Sequence, residues 1–140
     1  MKKIKNILVP IDGSKNSLRA LESAITIAKP AGATITGMYV VDAPRVLDYG
    51  VVQSVKHELF ESGKKILKKA KLLSEKNGLN FKEKITLGNP DNDIVAYSKI
   101  LKPDLIVIGS RGLGGVKEVF LGSVSNHVMH KSLMPVLIVK

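Results

Sequence analysis

Short β-branched apolar runs alternate with longer amphipathic stretches along the whole sequence, and this alternation limits the fold more than any other feature. The run IKNILVPI (residues 4–11) reads as a buried strand. Residues 14–29 place Leu18, Leu21, Ala24, Ile25 and Ala28 at a helical period, and Pro30-Ala31-Gly32 marks the stop. A second strand is predicted over residues 33–41, ending at Asp42. A polar connection (43–50) leads to a lysine-rich helix from about residue 51 to 76, stopped by Asn77-Gly78. Residues 81–87 alternate charged and apolar side chains, as a strand with one face or edge near water would. Asn89 is placed to cap a helix that Pro90 opens and that Asp91 and Asp93 complement. Residues 104–108 give a fourth strand, 123–132 a last short helix and 135–139 a last strand. Strands alternating with helices predict one α/β domain over residues 1–140, a doubly wound five-stranded parallel sheet with helices on both faces. Strand order does not follow from this pattern.

Charge narrows the partners. The 22 basic and 12 acidic residues leave a net charge of +10, a field that favours nucleotides, nucleic acid or an acidic membrane face. Lys64, Lys65, Lys68, Lys69, Lys71 and Lys76 fall within about half of a helical wheel, opposite Leu59, Ile66, Leu67, Ala70 and Leu73. That pattern is a solvated face with snorkelling lysines. Three Phe and three Tyr, none interleaved with those lysines, argue against base stacking and so against nucleic acid. No apolar run approaches the ~20 residues that span a bilayer, so no membrane partner is expected. The start MKKIKNILVPID imitates a secretory signal, but Pro10 and Asp12 cut its apolar run short, and the expected location is the cytoplasm. Cysteine is absent, which excludes disulfides and thiolate chemistry.

Ligands of open parallel sheets bind beyond the carboxyl ends of the strands, where strand order reverses. Among the four strand-to-helix turns, the last is the outlier. GSRGLGGVKEVFLGS (residues 109–123) carries several glycines directly after LIVI. It lacks GxxxxGK[ST], and Gly112-Leu113-Gly114 fails GxGxxG because Lys117 stands at the third glycine position. What remains is Gly109 and Gly112 after a strand, and Gly122-Ser123 at a helix start. Such an arrangement can cradle an anion with backbone amides and a helix N-terminus, with hydroxyls from Ser123 and Ser125 and charge from Arg111. Asp12, on the first turn, is suited to ribose hydroxyls or to a metal. A surface loop with Gly122 as a simple helix cap fits these residues equally well.

The same stretch resembles the glycine signature of the universal stress protein family, G-x2-G-x9-G-[ST], with Gly109, Gly112, Gly122 and Ser123 at its fixed positions. ILVPIDGS, MYVVD, DLIVIGSRG and the terminal PVLIVK are also similar to family patterns, so the resemblance covers essentially the whole chain. It implies strand order 3-2-1-4-5 and a Rossmann-like, ATP-binding stress-response protein. Carried over by position, it implies adenine contacts near Val41 and Ile11 and ribose contact by Asp12. Gly109, Arg111, Gly112, Gly122, Ser123 and Ser125 would surround the phosphates, with Pro10, Ile108 and Val124 lining the pocket. Any Mg2+ or Mn2+ would arrive with the nucleotide, through Asp12, rather than on a protein site. The resemblance further implies homodimers through the last strand, Pro135 to Val139, whose apolar run either pairs at an edge or lies inside the sheet.

No catalytic residue is expected. His127 and His130 lie three apart without a third metal ligand, and His57 stands beside Glu58 and Glu61 as a structural residue. Lys117-Glu118 lacks anything to orient it toward an attacking water. The expected function is an ATP-binding, dimeric switch or module for an unidentified protein partner. The alternatives are a slow ATPase or autophosphorylating enzyme, and an interaction module that holds no nucleotide.

Overall fold

A computed structural model describes residues 2–42, 53–112 and 121–140. The predicted connection at 43–50, the Lys117-Glu118 pair, and Gly114 and Gly115 lie outside these residues. The elements run β1 (Asn6–Pro10), α1 (Lys15–Ala31), β2 (Thr34–Asp42), α2 (Gln53–Lys76), β3 (Phe81–Gly88), α3 (Pro90–Leu101), β4 (Leu105–Gly109), α4 (Ser123–Lys131) and β5 (Val136–Val139). All strand pairs are parallel, as the alternation of strands and helices predicts, and the order is β3-β2-β1-β4-β5, as the family resemblance implies.

Strand alternation assigns the two faces. Ile7 and Val9 of β1 point to one side, where Ile35, Val107, the α1 residues Ala20, Leu21, Ala24 and Ala28, and the α2 residues Leu67 and Ala70 bury them. Leu8 points to the other, against Ile106, Ile108, Met38, Ile94 and Val95 of α3, and Val128 of α4. The pairs α1/α2 and α3/α4 therefore cover opposite faces, which makes β1 and β4 central and buried on both sides. β3 lies at one edge, which explains its alternation, and β5 lies at the other.

One predicted boundary shifts and one predicted cap works differently. Helix α1 continues through Pro30 to Ala31, because a proline in the last turn removes one donor while Gly32 still closes the helix. Gly32, at φ 63°, donates to the carbonyl of Lys29 at 3.3 Å, and Ala33 donates to that of Ala28 at 3.1 Å. Asn89 occupies the N-cap of α3 in an extended conformation, but its side chain makes no capping bond. Pro90 at the first turn and the carboxylates of Asp91 and Asp93 suffice to start that helix.

Candidate functional site

The order β2-β1-β4 puts the reversal of strand order between β1 and β4, so the turns after these two strands meet. Each is organised by its own residues. The carboxylate of Asp12 accepts a hydrogen bond from the Ser14 amide at 2.9 Å, an Asx turn that fixes the side chain beyond the end of β1. Ser14 then caps α1, its hydroxyl accepting from the Ser17 amide at 3.2 Å. The other carboxylate oxygen of Asp12 lies so close to Gly112 that a Cβ at that glycine would overlap it. The two turns therefore lie side by side, and a side chain at 112 would have to displace the Asp12 carboxylate from this place.

The ends of the glycine-rich stretch are tied together. The Gly122 amide donates to the Ser110 carbonyl at 2.7 Å, and the Ser125 hydroxyl donates to the same carbonyl at 2.8 Å. Ser125 is buried, so this bond is shielded from water. Beyond Gly122, α4 starts with a residue that has no side chain to cap it; its first intrahelical bond runs from Asn126 to the Gly122 carbonyl at 2.9 Å. The amides of Ser123, Val124 and Ser125 are by geometry the unpaired donors of a helix N-terminus, where the positive end of the helix dipole lies. Ser123 is exposed at that start. Short backbone connections thus bring Asp12, Gly112 and the α4 N-terminus together at the switch point between β1 and β4, where open parallel sheets have their crevice.

The expected residues take distinct places. Asp12, Arg111, Gly112, Gly122 and Ser123 are gathered at the junction of the two turns. Ser125 is there too, with its hydroxyl engaged by the Ser110 carbonyl. Gly109 has a separate task, since a Cβ there would lie 2.8 Å from the backbone carbonyl of Asn16; the close contact is between β4 and the first turn of α1. Pro10, Ile11, Val41 and Ile108 are buried at the carboxyl ends of β1, β2 and β4, and the Ile11 amide donates to the Met38 carbonyl at 2.8 Å. Val124 is half-buried against the α3/α4 face. Sequence reasoning passed over Ser14, Asn16 and Ser110. Ser14 carried a signal, because Asp-x-Ser before a helix is an Asx-turn and N-cap pattern. Ser110, whose carbonyl holds the crevice together, carried none, because a backbone acceptor is the same for every residue.

Among the described residues, no cluster of three or more His, Cys, Asp or Glu side chains could hold a metal ion. No helix among them is long and apolar enough to cross a membrane.

Comparison with known proteins agrees with this architecture. The sequence profile of the Universal stress protein family matches residues 3–140. Universal stress protein MJ0531 of Methanocaldococcus jannaschii is 37% identical over 139 residues, which cover 97% of this chain and 82% of that protein. The solved structure of MJ0577, from the same organism, superposes with a TM-score of 0.93 at 30% identity, covering 99% of this chain and 97% of that one. A universal stress protein in complex with cAMP superposes with a TM-score of 0.72 at 27% identity, over 99% and 98% of the two chains. A profile match across nearly every residue, on a sheet of order 3-2-1-4-5, settles the family: the chain belongs to the universal stress protein family.

Proposed function

We propose that the chain is an ATP-binding regulatory protein whose nucleotide lies in the crevice between the turns after β1 and β4. The observation that carries this reading is the contact of Asp12 with Gly112 beside the uncapped start of α4. A carboxylate there suits ribose hydroxyls, while orphan amides and a positive helix end suit phosphates. The chain's residues fit such a group: the approach at Gly112 leaves backbone where a side chain would otherwise stand, and Ser123 adds a hydroxyl at the rim. Adenine would meet the ends of β1 and β2 near Ile11 and Val41, and Mg2+ or Mn2+ would come with the phosphates. Binding of cAMP by a relative of 27% identity supports an adenine nucleotide as the ligand class. In this reading the protein's own residues bind and orient the nucleotide.

In this reading the chain is a dimer paired through β5, which ends the sheet with Val136, Leu137, Ile138 and Val139 and leaves Leu137 exposed. Nucleotide state would alter those contacts or the binding of a protein partner. Calorimetric titration with ATP, AMP and cAMP tests the site. Gly112→Ala should weaken all three at least about tenfold by displacing the Asp12 carboxylate. Unchanged affinity in a folded Gly112→Ala variant would refute the crevice as the site.

A further inference from the structure

In this parallel sheet every described helix returns to the end where strands begin, so all four helix C-termini gather at the pole opposite Asp12 and Gly112. Lys29, Lys76, Lys99 and Lys131 stand in their last turns, where the negative end of a helix dipole favours a cation. Dipole matching does not account for what else is there. Lys3 and Lys5 precede β1, and Lys102 follows α3, all exposed. The acid between them, Asp104, is already engaged by the amides of Lys5 and Asn6 and by the Lys2 ammonium.

The two most exposed large apolar side chains among the described residues stand at this same pole: Leu133 at 81% and Ile100 at 78% exposure. Ile100 lies between Lys99 and Lys102, and Leu133 lies two residues past Lys131. Helices α3 and α4 pack against each other on one face, which brings both apolar residues to one side of the pole. The outward face of α2 differs, since glutamates interleave its lysines in the pairs Lys64–Glu61 and Lys71–Glu75. A nucleic acid would use the lysines of the pole and leave Ile100 and Leu133 in water. An anionic bilayer uses both, with lysines at its phosphates and apolar tips at the acyl boundary.

We propose that this pole docks on anionic phospholipid bilayers, with Ile100 and Leu133 entering between headgroups and Lys99, Lys102 and Lys131 meeting the lipid phosphates. Sequence reasoning set membranes aside for want of a spanning run, but surface docking needs none. The docked orientation turns the crevice of Asp12 and Gly112 away from the bilayer, so it stays open to solute.

Co-sedimentation of the full chain with vesicles tests this, using phosphatidylcholine alone and phosphatidylcholine with about 30% phosphatidylserine at about 0.1 M salt. Binding should require the anionic lipid. Each of Lys99→Gln, Lys102→Gln and Lys131→Gln should weaken it about fivefold, and Ile100→Ser/Leu133→Ser at least about tenfold. The chain has no tryptophan, so Leu133→Trp gives a single tryptophan, excited apart from the three tyrosines, whose emission should shift to the blue on anionic vesicles. Equal binding to neutral vesicles, absence of binding to anionic ones, or an unshifted Leu133→Trp spectrum would overturn the proposal. So would tighter binding to duplex DNA than to anionic vesicles, or a double serine variant that keeps its lipid affinity or falls apart into smaller species on sedimentation.

Discussion

Replacing Gly109 by alanine separates two reasons for a glycine at that position. If Gly109 were present only to let phosphate approach, a methyl would lower nucleotide affinity and leave the fold untouched. In the structure the methyl carbon would lie 2.8 Å from both the carbonyl carbon and oxygen of Asn16 and 3.0 Å from its Cβ. These atoms belong to the first turn of α1, held in place by buried Ser17, Ala20 and Leu21. Gly109 itself closes β4, paired with Val139 of β5. Backbone on both sides has to part by roughly half an ångström, so the cost falls near the upper end of the 1–3 kcal/mol typical of overpacking. Restriction of the unfolded chain returns up to about 1 kcal/mol. The net loss is about 2 kcal/mol, or a fall in Tm of roughly 7 °C for a chain of this size. Urea unfolding should show a lower midpoint at unchanged slope. A midpoint within error of the parent, with weakened nucleotide binding, would refute the packing role and restore the phosphate role alone.

Two other perturbations probe the framework, one beside the site and one at the opposite end of the sheet. Gly122 tolerates more than Gly109, because its added Cβ would lie 3.3 Å from the Ser110 carbonyl oxygen and 3.4 Å from the Arg111 Cα. Gly122→Ala should therefore cost less than about 1 kcal/mol, whereas Gly122→Val should cost about 2 kcal/mol and weaken nucleotide binding at least about tenfold, read by thermal melting and calorimetry. Asp104 joins the starts of β1 and β4, and hydrogen bonds from the amides of Lys5 and Asn6, aided by Lys2, hold its carboxyl below the usual range. A carboxyl whose folded pKa is depressed contributes stability above its unfolded value. That contribution is lost as pH falls below about 4 and through the lowered folded value. Asp104→Ala should cost about 2 kcal/mol near neutral pH, and Asp104→Asn should flatten the acid limb of a stability–pH curve.

The sheet was legible because its strands announce themselves through burial. β1 and β4, covered on both faces, are continuous apolar runs, while β3 at the edge alternates, and periodicity distinguishes the two cases. Strand order was not legible from pattern, since the parallel crossovers of one chain are compatible with several orders; it came only with the resemblance. Helix ends were readable where the backbone itself demands glycine, as at Gly32 and Gly78, both with positive φ. They were misjudged at Pro30, where a proline in the last turn costs one hydrogen bond that the left-handed cap outweighs. Asn89 shows the opposite error: a good capping residue stood at the right place, and proline with two carboxylates made its side chain unnecessary.

The glycine spacing after β4 has more than one physical cause. Gly109 admits α1 to the sheet, Gly112 admits the Asp12 carboxylate, and Gly122 sits over a carbonyl that its own amide must reach. Only the last two face the crevice. Yet Gly109 fixes where α1 begins, and hence where Ser14 holds Asp12 against Gly112. A side chain at 109 would thus disturb the crevice without touching anything in it. A sequence pattern records that glycine is needed without recording whether the neighbour is a ligand or the protein's own backbone. In the structure Gly109 faces backbone and Gly112 a carboxylate, so the geometry of the crevice is a consequence of how tightly β4 and α1 pack.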